Sequence, residues 1–322
     1  MLRSIYYCCD GPPHGGGQHV NVAHVVALRK MGLRAYLLYL PKSNQIERFK
    51  SEAPVVLITA HTMFCSNDVV VVPEGWPHVI QSISTLPCKK IVHCQNPYYL
   101  FYGFDGINAI EALDFREMLS CSGYTTEMIR SFGYGLPIHT VRPAVSSVFH
   151  SSGEEKIMQI AYMSRKRRDE TIFVKRLFRS LYPEYINIDW VEVKDMTHEE
   201  CASVLRKSQV FASFSFLEGL GLPPLEAMAS GCVVAGFDGQ GGADYSNSNN
   251  GFWAPEGDYF AFAHQLARAI EASQTQPSKL ELRRCCALTL QNYSQNSFME
   301  ALARAWQLIL GQERDDFLLV SS

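Results

Sequence analysis

The chain is expected to fold as two α/β domains of the Rossmann type with a helical C-terminal tail. Three observations carry that expectation. Its 322 residues exceed what one hydrophobic core usually organises, so two domains of about 150 residues are the natural division. Short apolar runs alternate with amphipathic stretches, the rhythm of parallel strands covered by helices. That rhythm stops over 143–155, a Ser-, Gly- and Pro-rich stretch suited to a linker, and then restarts.

In the first half, strand-like runs lie at 4–9, 34–40, 55–58, 68–72, 90–94, 118–121 and 139–142, with helical patterns at 19–31 and 125–132. In the second half, strands are expected at 157–163, 186–191, 210–214 and 232–237, with helices at 168–181, 198–207 and 223–230. Beyond residue 252 the pattern is purely helical, at 258–272, 278–292 and 294–310. The expected domains are 1–148 and 149–292, with 293–322 a final helix packing back toward the first domain. In open parallel sheets ligands bind outside the carboxyl ends of the strands.

Composition excludes several classes. With 29 basic and 32 acidic residues interspersed and a net charge of -3, no global field recruits nucleic acid. The apolar start, 2–9, is too short for a signal peptide, and no apolar run approaches the ~18 residues of a membrane span. A cytoplasmic protein is the expectation, with peripheral membrane contact left open. Ten cysteines, at 8, 9, 65, 88, 94, 121, 201, 232, 285 and 286, form no CxxC pair. Most lie in apolar runs and are expected to be reduced core residues.

The richest segment is EGLGLPPLEAMASG at 218–231, which follows an apolar strand and enters a helix. Pro223 and Pro224 suit a first helical turn, and Gly219 and Gly221 let a ligand approach the backbone. The helix start offers free N–H groups and a positive dipole end to an anion. Glu218 precedes the helix and Glu226 lies about one turn inside it, so both can face one ligand. Local physics equally allows a plain strand-to-helix turn with one capping and one solvated glutamate.

The segment resembles the E-x7-E signature of retaining GT-B glycosyltransferases of the family-4 type, which commonly reads EGFGLPPLEAMASG. The difference is Leu220 in place of Phe. The resemblance implies two Rossmann-like domains facing each other across a cleft. It implies transfer of a sugar from a nucleotide-diphosphate donor to an acceptor hydroxyl with retention. Glu226 is then expected on the ribose hydroxyls, Glu218 near the reacting sugar, and Gly219, Leu220, Gly221 and Leu222 along the donor.

Four further segments fit. The run IAYMSRKRR at 160–168 places cations after a strand, and arginine suits bidentate phosphate recognition. By the resemblance Arg165 binds the diphosphate, with Lys166 or Arg168 as its partner; Ser164 stands where relatives have Gly. The Gly-rich loop DGPPHGGGQH at 10–19 matches the family's first loop, with Gly16 and Gly17 expected near the donor phosphate. In IVHCQNPYY at 91–99, His93 at a strand end is either a satisfied core residue or, as in family relatives, a contact to the donor sugar. The aromatic run Tyr98, Tyr99, Phe101, Tyr102 and Phe104 either stacks on an acceptor or packs the domain. In GQGGADY at 239–245, Asp244 stands where relatives have a Glu that touches the donor. The turn SGYTTE at 122–127 also resembles the family's turn into a helix.

Positive groups near the departing diphosphate would stabilise its growing charge. No Asp-x-Asp pattern occurs in the chain, so no metal and no cofactor beyond the nucleotide sugar as co-substrate is expected. The acceptor class stays open among saccharide, lipid-linked and small-molecule compounds. A nucleotide-sugar epimerase of the same fold, or a silent sugar-nucleotide-binding protein, are the alternatives.

Overall fold

A computed structural model describes residues 3–9, 16–39, 52–59, 62–106, 108–151, 153 and 155–311. Two units each build their own parallel sheet. Unit 1 comprises Met1–Pro143 and the chain from Phe298 on; unit 2 is Ala144–Ser297.

Unit 1 contains β1 (Ser4–Cys9), β2 (Arg34–Tyr39), β3 (Val55–Leu57), β4 (Val69–Pro73), β5 (Lys89–Cys94), β6 (Phe115–Ser120) and β7 (Ile138–Thr140) in the order β3-β2-β1-β4-β5-β6-β7. Helices α1 (Gly16–Lys30), α2 (Pro77–Ser84), α3 (Leu100–Gly103), α4 (Asn108–Ala112) and α5 (Gly123–Ser131) join them. Every pair is parallel. Strands covered on both faces read as unbroken apolar runs, and β4, Val-Val-Val-Val-Pro, is buried throughout. The chain winds outward to β3, then returns to β4 beside β1, so the switch in winding lies between β1 and β4.

Helix α11 (Gln295–Leu310) completes unit 1. Its buried stripe Phe298, Leu302, Ala305, Trp306 and Ile309 follows the helical period. Trp306 lies 6.3 Å from the ring of Tyr7, and Phe298 5.3 Å from that of His24. At its carboxyl end Arg3 donates to Leu310 O and Lys89 to Ile309 O, two cations where the dipole favours them.

Unit 2 contains β8 (Ile157–Tyr162), β9 (Asp189–Glu192), β10 (Ser208–Glu218), β11 (Val233–Gln240) and β12 (Phe252–Trp253) in the order β12-β11-β10-β8-β9. The helices are α6 (Arg168–Leu181), α7 (His198–Lys207), α8 (Leu222–Ala229), α9 (Tyr259–Gln274) and α10 (Gln276–Gln291). The local signals are clear. Thr197 and Glu200 form a reciprocal capping box on α7, and Asp258 caps α9. Gly236 (φ +120) is required by packing, because a Cβ there would lie 2.6 Å from the ring of Phe262. Phe262 in turn stacks on Phe214 at 4.7 Å. Winding switches between β8 and β10.

Two expected elements moved. The strand expected at 186–191 is Asp189–Glu192, because Pro183 opens a 3₁₀ turn over Pro183–Tyr185 and leaves Ile186 exposed. β10 runs on past Phe214 to Glu218, with Ser213 donating to Phe237 O at 2.6 Å. The helices after β4 and β5, and β12, carry too few periodic residues to stand out in sequence. All ten cysteines are free thiols, seven of them buried. No helix among the described residues is long and apolar enough to cross a membrane.

Candidate functional site

At the carboxyl edge of unit 2, β10 and β11 pair in register as far as Ser215 and Asp238, break, and pair again at Glu218 and Gln240. The break puts Leu217 (φ 46) and Gln240 (φ 65) in the left-handed region. Each such non-glycine residue costs on the order of 1 kcal/mol and persists only where its surroundings enforce it. Here the amide of Leu217 donates to Gln240 Oε1 at 2.8 Å. Gly241 lets the second loop lie on the first, since a Cβ there would sit 2.3 Å from the carbonyl oxygen of Glu218.

Gly221 (φ 83) caps α8, and its carbonyl accepts from the buried Tyr245 hydroxyl at 2.7 Å. Pro223 and Pro224 have no N–H to offer, so the anion-binding donors at this helix start narrow to the amides of Leu220, Gly221 and Leu222. The side chain of Leu220 is buried and that of Leu222 half-buried.

The expected carboxylates and cations are placed differently from one another. Lys166 Nζ pairs with Glu218 Oε1 at 2.9 Å and donates to the carbonyls of Phe216 (3.0 Å) and Leu217 (3.1 Å). Structure therefore brings Lys166 directly onto the Glu218 corner. Arg165 is exposed, with no hydrogen bond or ion pair among the described residues. Arg168 begins α6 and is exposed. Arg167, which the sequence shows only as one more cation, is buried among protein partners.

Glu226, half-buried on α8, has no hydrogen-bond or ion-pair partner among the described residues, and burial pushes its carboxyl up to about 7. Asp244 accepts from the Tyr293 hydroxyl at 2.9 Å.

In unit 1, Gly16 and Gly17 form the exposed first residues of α1 after β1, and Gly17 O accepts from Gln95 Nε2 at 3.0 Å. The rest of that loop, Asp10 to Gly15, lies outside the described residues. His93 ends up inside unit 1. It is 0% exposed on β5, bonded through Nδ1 to Asn21 Oδ1 at 2.9 Å and 4.8 Å from the ring of His24. Desolvation lowers its pKa to about 3, which keeps the ring neutral. Its Nε2 is buried and has no hydrogen-bond partner among the described residues.

The aromatic run divides. Phe104 is core, Tyr98 shares a hydrogen bond with Tyr124, and Tyr99, Phe101 and Tyr102 are exposed. Glu74 was not singled out in sequence. It follows β4, is buried, accepts the amide of Asn96 at 2.8 Å, and is pushed up to about 7 by burial. A carboxylate ending an all-valine strand at the switch point was the available signal.

The family profile "Glycosyl transferases group 1" matches residues 185–283, which span this corner of unit 2. An alpha-1,6-glucosyltransferase of Actinobacillus pleuropneumoniae serotype 7 (strain AP76) is 34% identical over 276 residues, covering 83% of each chain. The chain belongs to the group 1 glycosyltransferases. A glycosyltransferase from Rickettsia africae ESF-5 has the same fold, with TM-score 0.71 at 12% identity over 97% of this chain and 100% of that one. Anabaena Alr3699/HepE, solved with UDP, follows at TM-score 0.70 and 11% identity, over 95% of this chain and 100% of that one. The fold of this group 1 glycosyltransferase is thus GT-B, two Rossmann-like units with a helical C-terminal stretch. Its Glu218, Glu226, Arg165 and Lys166 all lie on the elements at the β8/β10 switch of unit 2, where a doubly wound sheet binds its ligand.

Proposed function

We propose that the chain transfers glucose from UDP-glucose to a sugar hydroxyl, with retention of the anomeric configuration and without a metal ion. The donor is suggested by the glucosyltransferase relative and by the UDP-bound relative of the same fold. A 6-hydroxyl acceptor is suggested by the relative's 1,6 specificity.

One observation carries the site: a carboxylate without a hydrogen-bond or ion-pair partner among the described residues, Glu226, lies eight residues along the chain from one that is paired, Glu218. Ribose hydroxyls can donate to Glu226, which would favour its ionised form. The diphosphate would be held by Arg165 and by the amides of Leu220, Gly221 and Leu222. Those fixed charges and dipoles stabilise the negative charge that grows as the bond from anomeric carbon to phosphate oxygen breaks. Lys166 holds Glu218 at the corner beside the reacting sugar and adds a positive charge there. The acceptor hydroxyl attacks the anomeric carbon, and its proton passes to the departing phosphate oxygen. His93 takes no part in these contacts.

Incubating the protein with UDP-glucose and a glucoside acceptor tests this reading. Release of UDP matched by an α-linked product, unchanged by a chelator, is expected. Release of no UDP, or a β-linked product, would overturn it. Isomerised UDP-sugar without UDP release would identify an epimerase instead.

A further inference from the structure

The donor corner depends on two residues, Leu217 and Gln240, whose backbones are in a region that resists them. Something must hold them there. Gln240 Oε1 takes the amide of Leu217 at 2.8 Å, and its Nε2 donates to Glu256 Oε2 at 3.0 Å. Glu256 Oε1 accepts from Arg167 Nη2. Arg167 returns to the same corner, donating through Nε to Ser215 O at 3.2 Å and through Nη1 to Glu170 at 2.8 Å. Its guanidinium lies 4.2 Å from the ring centre of Phe216 and 4.8 Å from that of Phe237.

The loop of bonds is closed: Ser215, Leu217, Gln240, Glu256, Arg167 and back to Ser215. A guanidinium whose side chain is 2% exposed is tolerated inside a protein only when its donors are met. Arg167 therefore fixes the orientation of Glu256. Glu256 fixes which end of the Gln240 amide faces Leu217, because only the oxygen can accept there.

We infer that Arg167, Glu256 and Gln240 form a positioning relay that sets the Leu217–Glu218 corner, and through it the attitude of Glu218 toward the donor sugar. None of the three touches the donor in the proposed reaction; the inference rests on that reading for its effect on turnover. Displacement of a reacting group by about 1 Å costs up to roughly a hundredfold in rate, so a loose corner should cost turnover rather than nucleotide affinity.

The test exploits the polarity of the relay. Gln240→Glu sets two carboxylates against each other. Glu256→Gln gives Arg167 and Gln240 only one accepting oxygen between them, which frees Gln240 to turn its NH2 toward the amide of Leu217. The double variant Gln240→Glu/Glu256→Gln exchanges donor and acceptor and restores every hydrogen bond of the relay, while Arg167 keeps Glu170 as its charged partner.

Three readouts are taken: hydrogen exchange of the peptide 215–221, UDP affinity, and kcat and KM for UDP-glucose. Each single variant should speed exchange and lower kcat by about tenfold or more, with UDP affinity nearly unchanged. The double variant should recover both quantities to within about threefold of the parent. Unchanged exchange in the singles, or no recovery in the double, overturns the relay. If the parent does not turn over UDP-glucose, the exchange arm still decides the relay, and the failure belongs to the proposed donor. If Glu218→Gln abolishes turnover while the singles keep theirs, only the relay fails.

Discussion

Glu226 holds its charge at a cost in the free protein, and that gives the residue scale its sharpest tests. Its carboxyl is raised to about 7 from 4.5, so between those values the native state binds more protons than the unfolded chain. Stability therefore falls as pH rises through that window, by about 3 kcal/mol in all. Glu226→Gln should raise the thermal midpoint at pH 8 and leave it near the parent's at pH 4, by differential scanning fluorimetry. The same variant should weaken UDP binding, since a charge-assisted hydrogen bond contributes about 1.5–3 kcal/mol. His93 provides the contrast. Being fully buried, His93→Ala should lower the thermal midpoint through a cavity while calorimetry finds UDP affinity within about twofold of the parent. The two acids of the E-x7-E segment stood out in sequence through the family resemblance, since spacing and prolines alone equally allowed a plain turn. Arg167 was not separable from Arg165 and Lys166, because adjacent cations look alike until the fold buries one. His93 was open to two readings for the same reason: a strand end does not say whether a ring faces ligand or core.

At the element scale, the glycines and Tyr245 hold the start of α8 in place. Tyr245→Phe removes only the hydroxyl that binds Gly221 O at 2.7 Å. It should cost about 1–2 kcal/mol in chemical denaturation and weaken UDP binding through the displaced amides. Gly241→Ala drives a Cβ toward the Glu218 carbonyl oxygen, 2.3 Å away. Its urea midpoint should fall more than that of Gly16→Ala, which has nothing within 4 Å. In unit 1, Lys89→Met strips a cation from the end of α11 where it donates to Ile309 O and from Glu117 on β6, and hydrogen exchange should speed in the last turn of that helix. Elements with strong periodicity, such as α6 and α7, stand where the sequence puts them, at 168–181 and 198–207. The short helices α3 and α4 and the two-residue β12 fall below the length at which a period can be read. The Leu217–Gln240 corner was invisible because its cause is a contact between distant loops.

Across the molecule, two sheets wound from separate stretches of chain each place a loop at a winding switch, and the group 1 profile matches within the second. Unit 2 carries both acids and the cations at one switch, with Arg165 and Glu226 lacking partners of their own among the described residues. The relation to an alpha-1,6-glucosyltransferase over 83% of the chain makes glucose the sugar to test first. Titration of UDP into the protein by calorimetry, repeated with Arg165→Ala and Glu226→Ala, tests the central claim most directly. Saturable binding by the parent, weakened at least about tenfold in each variant with the fold unchanged, is the predicted result. UDP affinity equal to the parent's in both variants would contradict the placement of the donor at this corner.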